Sequence, residues 1–233
     1  MNYKKILKGT FVDRPNRFIS HVSIDGNIHT VHVKNTGRCK ELLIPGAEVY
    51  LSESDKVERK TGFDLVAVEK KNIGIVNIDS QLPNFAVCEW LPRSGLFSEK
   101  AIIKREHTYG NSRFDIYVTD GERKCLIEVK GVTLERNSVA LFPDAPTSRG
   151  SKHLKELTRS LTEGYEAYVI FVIQMKGVTS FTCNGLTDPE FERNLQNAHK
   201  SGVKILAYDC SVTPYTISID WEIPVLIQHQ ASS

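Results

Sequence analysis

The sequence predicts an α/β sandwich preceded by a small β-barrel, and three observations carry that prediction. The first eighty residues break into five short runs punctuated by turns. A hairpin follows within residues 112–130, and a helix-period segment then leads into the apolar run Tyr168-Val169-Ile170-Phe171-Val172-Ile173. Short strands at regular spacing argue for a barrel, and strands alternating with helices argue for a layered α/β unit. A chain of 233 residues fits one large or two small domains. The division falls near residue 84: residues 1–84 form the barrel, 85–227 the sandwich, with 85–95 as the junction around Trp90 and 228–233 as a polar, frayed tail.

In the first unit, strands are expected over residues 5–12, 16–24, 28–33, 47–51 and 64–69, with turns at Asp25-Gly26-Asn27, Pro45-Gly46 and Thr61-Gly62. Five short strands in this length suit an OB-like barrel, a fold that often binds nucleic acid. Phe11, Phe18 and Phe63 are either stacking platforms or core. The net charge of +2 does not argue for nucleic acid, but its distribution does. Residues 1–40 carry eight basic side chains against Asp13 and Asp25, while residues 41–85 carry eight acidic against five basic. Arg14, Arg17, Lys34, Asn35 and Arg38 are the candidate nucleic-acid contacts. Thr36 is placed to cap a helix running through Leu43, and Gly37 permits close backbone approach. That turn either cradles a phosphate or is a purely structural cap.

The hairpin SRFDIYVTDGERKCLIEVK turns at Asp120-Gly121, a two-residue signal between alternating runs. With Thr119 paired to Glu122, opposed positions sum to 241 and Asp115 lies across from Leu126. Side chains alternate, so Arg113, Asp115, Tyr117, Lys124, Leu126, Glu128 and Lys130 share one face. Phe114, Ile116, Val118, Cys125, Ile127 and Val129 share the other. Two carboxylates a diagonal apart, roughly 7–8 Å between backbones, suit Mg²⁺, which takes one or two carboxylates plus waters and phosphate oxygens. A lysine two residues after the glutamate is placed to orient or deprotonate the attacking water of a metal-assisted phosphodiester hydrolysis. The competing reading is a solvated face with a cross-strand charge pair. The apolar setting of Ile127-Glu128-Val129 favours the functional one.

Upstream, a helix is expected over residues 97–105, leading into Glu106. Downstream come a strand over 138–142 and a turn at Pro143-Asp144-Ala145-Pro146-Thr147. A helix from Ser148 follows, with Leu154, Leu157 and Leu161 as its apolar stripe and Gly164 as its stop. Arg149 and His153, four apart, are neighbours on that helix. They lie where a helix start meets phosphate, although His153 also borders the stripe and fits a core histidine. Asp144 either reaches the polar face or caps the helix. A last helix opens at Asp188-Pro189 and ends before Gly202, followed by a strand over 203–208.

Helix, three strands, helix, strand, with RFD on one strand and EVK on the next, resembles the PD-(D/E)XK nuclease superfamily. Phe114-Asp115 stands where that superfamily has its Pro-Asp. Six motifs in order sharpen the likeness: Arg14-Pro15-Asn16-Arg17-Phe18, Asn35-Thr36-Gly37-Arg38, Gln81-Leu82-Pro83-Asn84, SRFD, EVK and Phe142-Pro143-Asp144-Ala145-Pro146-Thr147. Together they resemble the sugar fermentation stimulation protein A (SfsA) family. That resemblance implies an OB-like barrel followed by a nuclease-like domain, and DNA, of either strandedness, as the partner. The superfamily likeness implies Mg²⁺, with Mn²⁺ as a substitute, held by Asp115 and Glu128, assisted by Lys130 and completed by Glu106. The rival reading is a non-enzymatic DNA-binding regulator that keeps the nuclease framework without turnover.

The longest apolar run is far too short to cross a membrane, and Lys4 and Lys5 precede no apolar h-region. Five scattered cysteines, without C-x-x-C spacing, fit reduced thiols in a cytoplasmic protein.

Overall fold

The computed structural model describes residues 3–35, 37–54 and 61–227. The first unit contains β1 (Ile6–Asn16), β2 (Ile19–Ile24), β3 (Asn27–Val33), β4 (Glu48–Glu53), β5 (Phe63–Lys70) and β6 (Gly74–Asn77). Their order is β3-β2-β1-β4-β5-β6, and a further β3–β5 pairing closes the first five into a barrel. Alternation explains its interior: Phe11, Val22, Val31, Val49, Leu51 and Leu65 all point inward and are buried. All five expected strands are present. β6 is additional, too short to declare itself by periodicity. No helix follows Asn35. Residues 40–43 form turns, with the Leu42 and Leu43 N–H groups both donating to the Cys39 carbonyl. Thr36, the expected cap, lies outside the described residues, as does the tail 228–233.

The second unit opens with α1 (Leu82–Trp90), which Pro83 starts at a position where no N–H is needed. Its main-sheet strands are β7 (Ile102–Tyr109), β8 (Ser112–Asp120), β9 (Arg123–Val132), β12 (Glu166–Ile173), β14 (Lys204–Val212) and β15 (Ile217–Glu222), in the order β15-β14-β12-β9-β8-β7. A smaller sheet gathers β10 (Leu134–Arg136), β11 (Val139–Phe142), β13 (Ser180–Cys183) and β16 (Val225–Leu226). Two helices complete the unit: α2 (Ser148–Leu161), capped by the Thr147 hydroxyl, and α3 (Pro189–Ser201), capped by the Asp188 carboxylate and closed by Gly202 at φ +107°. No helix of the described residues is long and apolar enough to cross a membrane.

Three expectations are corrected here. The helix expected over 97–105 is absent. Residues 102–109 are instead the edge strand β7, while the helical period belongs to Leu82, Ala86, Val87 and Trp90, all buried. Trp90 is core rather than junction, its ring 4.5 Å from Tyr208. The hairpin register is also displaced by two: Asp120 pairs with Arg123 and Ile116 with Ile127, so opposed positions sum to 243. The turn is Gly121-Glu122, with Gly121 first and at positive φ, a geometry that asks for glycine in the leading loop position. Asp120 is held in the strand by the Ser98 N–H at 2.9 Å. A displacement of two preserves face parity between Ile116 and the turn, and the pairing stops before Asp115.

β9 and β12 are buried on both faces. Leu126 packs with Leu154 and Leu157 of α2, whereas Ile127 and Val129 pack with Leu82, Ala86 and Val87 of α1. The α2-side apolar cluster continues without a break into the barrel interior. Polar ties reinforce the joint. Gln174 is 1% exposed and donates to Asn77 Oδ1 and to the Asp79 carbonyl. A Cβ on Gly131 would lie 2.5 Å from its side-chain oxygen and 2.9 Å from Pro83 Cγ, so a side chain there would displace Gln174. Truncating Gln174→Ala strands these buried acceptors and should cost about 1–3 kcal/mol, or about 2–4 °C in Tm per kcal/mol for a chain of this size. Calorimetry should show the two units still melting in one transition.

Candidate functional site

The β8–β9 ladder ends at Ile116↔Ile127, and beyond it the chain of β8 turns. Phe114 was expected to share a face with Ile116 and Val118 but joins the α2-side cluster, its ring 5.6 Å from His153. On β7, Glu106 adopts φ +59°, and pairing is interrupted between Arg105↔Ile116 and His107↔Phe114. This break releases Asp115 from simple alternation. Its Oδ1 accepts from Asn84 Nδ2 on α1, and its Oδ2 accepts from the Val129 N–H, each at 2.8 Å. The carboxylate takes over where the Cα pairing stops.

Glu128, 3% exposed, lies at the level of Asp115 on the neighbouring strand. Its Oε1 accepts from Lys130 Nζ and is 2.6 Å from His153 Nδ1, while Oε2 is buried with no hydrogen-bond partner. Arg149 Nε stands 3.5 Å from His153 Nε2. This network assigns Nε2 as the acceptor and Nδ1 as the proton-bearing nitrogen that donates to Glu128.

The two carboxyls are pushed apart electrostatically. Burial raises Asp115 above its ordinary value, and the Glu128 charge adds to this against the Val129 N–H, Lys130 and Asn84. Burial acts the same way on Glu128, but Lys130 and the His153 hydrogen bond outweigh it and hold that group low. A carboxylate ionised in the core with one bare oxygen, beside a second carboxyl, is a donor set of the kind Mg²⁺ uses. These two residues fit such an ion. Glu106 does not join them: its side chain is exposed and meets Arg113 at 3.5 Å, and no group of three His, Cys, Asp or Glu side chains is assembled for a metal among the described residues.

The candidate nucleic-acid residues occupy varied settings. Arg14 donates to the carbonyls of Arg17, Asn35, Gly37 and Arg38 at 2.7–3.0 Å, so its guanidinium shapes the turn. Lys34 is paired with buried Asp79 at 2.7 Å. Asn35 accepts the Gly37 N–H and donates to the Ile78 carbonyl. Arg17 and Arg38 are exposed, and the guanidinium of Arg17 lies 5.9 Å from the exposed ring of Phe18. Phe11 is core, while Phe63 is half-buried against His29. Gly37 is approached closely by Asp144, whose Oδ2 would be 2.7 Å from an added Cβ and accepts the Arg38 N–H at 2.8 Å. Asp144 therefore neither caps α2 nor joins Asp115. It binds the barrel turn. Arg149 is exposed, but His153 is buried behind Glu128 and its ring is committed there. Asn84, the partner of Asp115, carried no chemical pattern of its own and was legible only as part of the Gln81-Leu82-Pro83-Asn84 motif.

Residues 12–78 match the model of the SfsA N-terminal OB domain, and residues 81–216 match that of the sugar fermentation stimulation protein RE domain. The chain belongs to the SfsA family. Among its relatives, the sugar fermentation stimulation protein homologs of Ruminiclostridium cellulolyticum and Clostridium beijerinckii are 55% and 52% identical. Each alignment covers 97% of this chain, and 99% and 100% of the respective relative. The solved structure of Pyrococcus furiosus SfsA in complex with Ca²⁺ is 30% identical, covers 97% of this chain and 98% of that one, and superposes with a TM-score of 0.86.

The opposed shifts of the carboxyl pair give opposite stability effects. Asp115 has a raised value, so its ionisation opposes folding, and Asp115→Asn should raise the Tm of the metal-free protein at pH 7. Glu128 has a lowered value. Its contribution is present above the ordinary 4.5 and lost as pH falls through the folded value. Glu128→Gln should therefore lower Tm at pH 7, and the deficit should shrink under acid. Thermal melts from pH 3 to pH 7 would reveal both.

Proposed function

We propose that the protein binds DNA and hydrolyses its phosphodiesters with Mg²⁺, Mn²⁺ substituting, at Asp115 and Glu128, on a PD-(D/E)XK-like second domain. The observation that carries this reading is the bare, buried Oε2 of an ionised Glu128 set beside Asp115. A mixed sheet flanked by α1 and α2, with RFD and EVK on adjacent strands, supports it. So does the Ca²⁺ in the P. furiosus relative, an oxygen-seeking ion of the same class.

A divalent ion held by the pair supplies a Lewis acid for the phosphoryl oxygen. The chain does the rest. His153 and Lys130 fix the Glu128 rotamer, and Asn84 with the Val129 N–H fixes that of Asp115. Lys130 Nζ, partly open to solvent, orients the water whose oxygen attacks phosphorus as the P–O bond to the leaving strand breaks, with the proton of that water lost to solvent and one taken up by the departing oxygen. Exposed Arg17, Arg38 and Arg149 hold the phosphate backbone by charge. Five cysteines, all free, fit a reducing compartment, so we assign the protein to the cytoplasm.

The decisive test titrates parent and Glu128→Ala with Mg²⁺ or Mn²⁺ by calorimetry while following cleavage of labelled DNA. Loss of both in the variant is expected. Parent protein that retains DNA but neither binds metal nor cuts it would leave a non-enzymatic DNA-binding protein. Lys130→Met should lower cleavage about 10²–10⁴-fold, a larger loss than the weakening of metal binding that follows from freeing Glu128. His153→Ala should weaken metal binding about 10–100-fold, as loss of a group orienting a metal ligand does.

A further inference from the structure

Arg105 is an exposed residue of β7, paired across the sheet edge with Ile116, the residue after Asp115. Its guanidinium carbon lies 3.9 Å from the centroid of the Phe85 ring, which α1 presents one position after Asn84. Among the described residues it makes no hydrogen bond or ion pair. The nearby acid that would quench it, Glu106, turns away at positive φ to meet Arg113. Other arginines in this fold are consumed through their edges: Arg14 by four carbonyls, and Arg123 by Glu166 and Asp120. A guanidinium stacked by its face is different. The ring holds the guanidinium in place, while its N–H groups have no partner among the described residues, and such a fork can meet two phosphate oxygens at once.

Its placement relative to the carboxyl pair is equally specific. Phe85 follows Asn84, the residue that grips Asp115, so one turn of α1 holds both the acid and the platform for the base. The pairing with Ile116 and the contact with Phe85 set Arg105 on the α1 side of the strand that carries Asp115. The thiol of Cys88, on the next turn, is raised by burial, pulled down by Arg105 and pushed up by Asp115 and Glu89.

We propose that Arg105, held over the Phe85 ring, is a phosphate-positioning residue, gripping the non-bridging oxygens of a nucleic-acid phosphodiester at the Asp115 side of the site. This rests on the reading of Asp115 and Glu128 as a phosphodiester-cleaving pair. Phe85 sets the direction of the grip. The interrupted β7 ladder keeps Glu106 from competing for it.

The test measures binding of a fluorescently labelled oligonucleotide by anisotropy across a salt series, with cleavage kinetics and Mn²⁺ calorimetry on the same proteins. Arg105→Ala should reduce the slope of log K against log salt by about 0.7–0.9, one phosphate contact. It should also raise KM more than it lowers kcat, and leave Mn²⁺ affinity and Tm unchanged. Arg105→Lys should restore the slope but not the full affinity, having charge without the fork. Phe85→Leu should weaken binding with the slope retained. An Arg105→Ala slope equal to that of the parent would overturn the proposal. Parent protein that neither binds Mn²⁺ nor cleaves would overturn the hydrolytic reading instead, and the salt slope would still decide whether Arg105 touches phosphate.

Discussion

Glu128 stands in a central strand between Val169 of β12 and a second carboxyl, Asp115, at its level on β8, and an ionised carboxylate in such a place costs several kcal/mol unless it is compensated. Compensation comes from two directions. Lys130 follows on the same strand, and His153 descends from α2 with its Nδ1 proton fixed by Arg149 at the other nitrogen. For His153 to arrive there, α2 must start where it does, at Thr147, and lie against Leu126 through Leu154 and Leu157. The loop leading to that start is pinned by Asp144 on the barrel turn. The position of one buried charge thus reaches back to the joint between the two units.

The hairpin, the acid–lysine set and the face parity between Ile116 and the turn are legible in the sequence because period two survives a displacement of the register by an even number. What alternation does not encode is the turn at Phe114, where the strand leaves the ladder and Asp115 swings to Asn84. It also does not encode which residue leads the turn, and with Gly121 rather than Asp120 first the register moves by two. The helix expected over 97–105 failed for a related reason: an edge strand exposed on most of its length has no clean period, so Ile102 to Tyr109 gave a mixed signal.

Basic residues were read correctly as exposed or not only where nothing nearby competed for them. Arg14 and Lys34 lie in the basic stretch that pointed to phosphate, yet carbonyls and Asp79 claim them. Arg105 sat in a segment read as a helix and was passed over. The distinction lies in partners brought from 20 to 45 residues away, which no local window contains. His153 shows the same limit from the other side: its spacing placed it beside Arg149, but burial turned it toward a carboxylate 25 positions earlier.

The turn Asn35–Arg38 has one further consequence. It offers a backbone N–H to an anion, and the anion present is the protein's own Asp144. A tethered carboxylate acts at an effective concentration on the order of millimolar or above. The Arg38 N–H is thus satisfied by a carboxylate of the second unit, and that bond ties the segment leading into α2 to the barrel alongside the shared apolar cluster and the Gln174 hydrogen bonds.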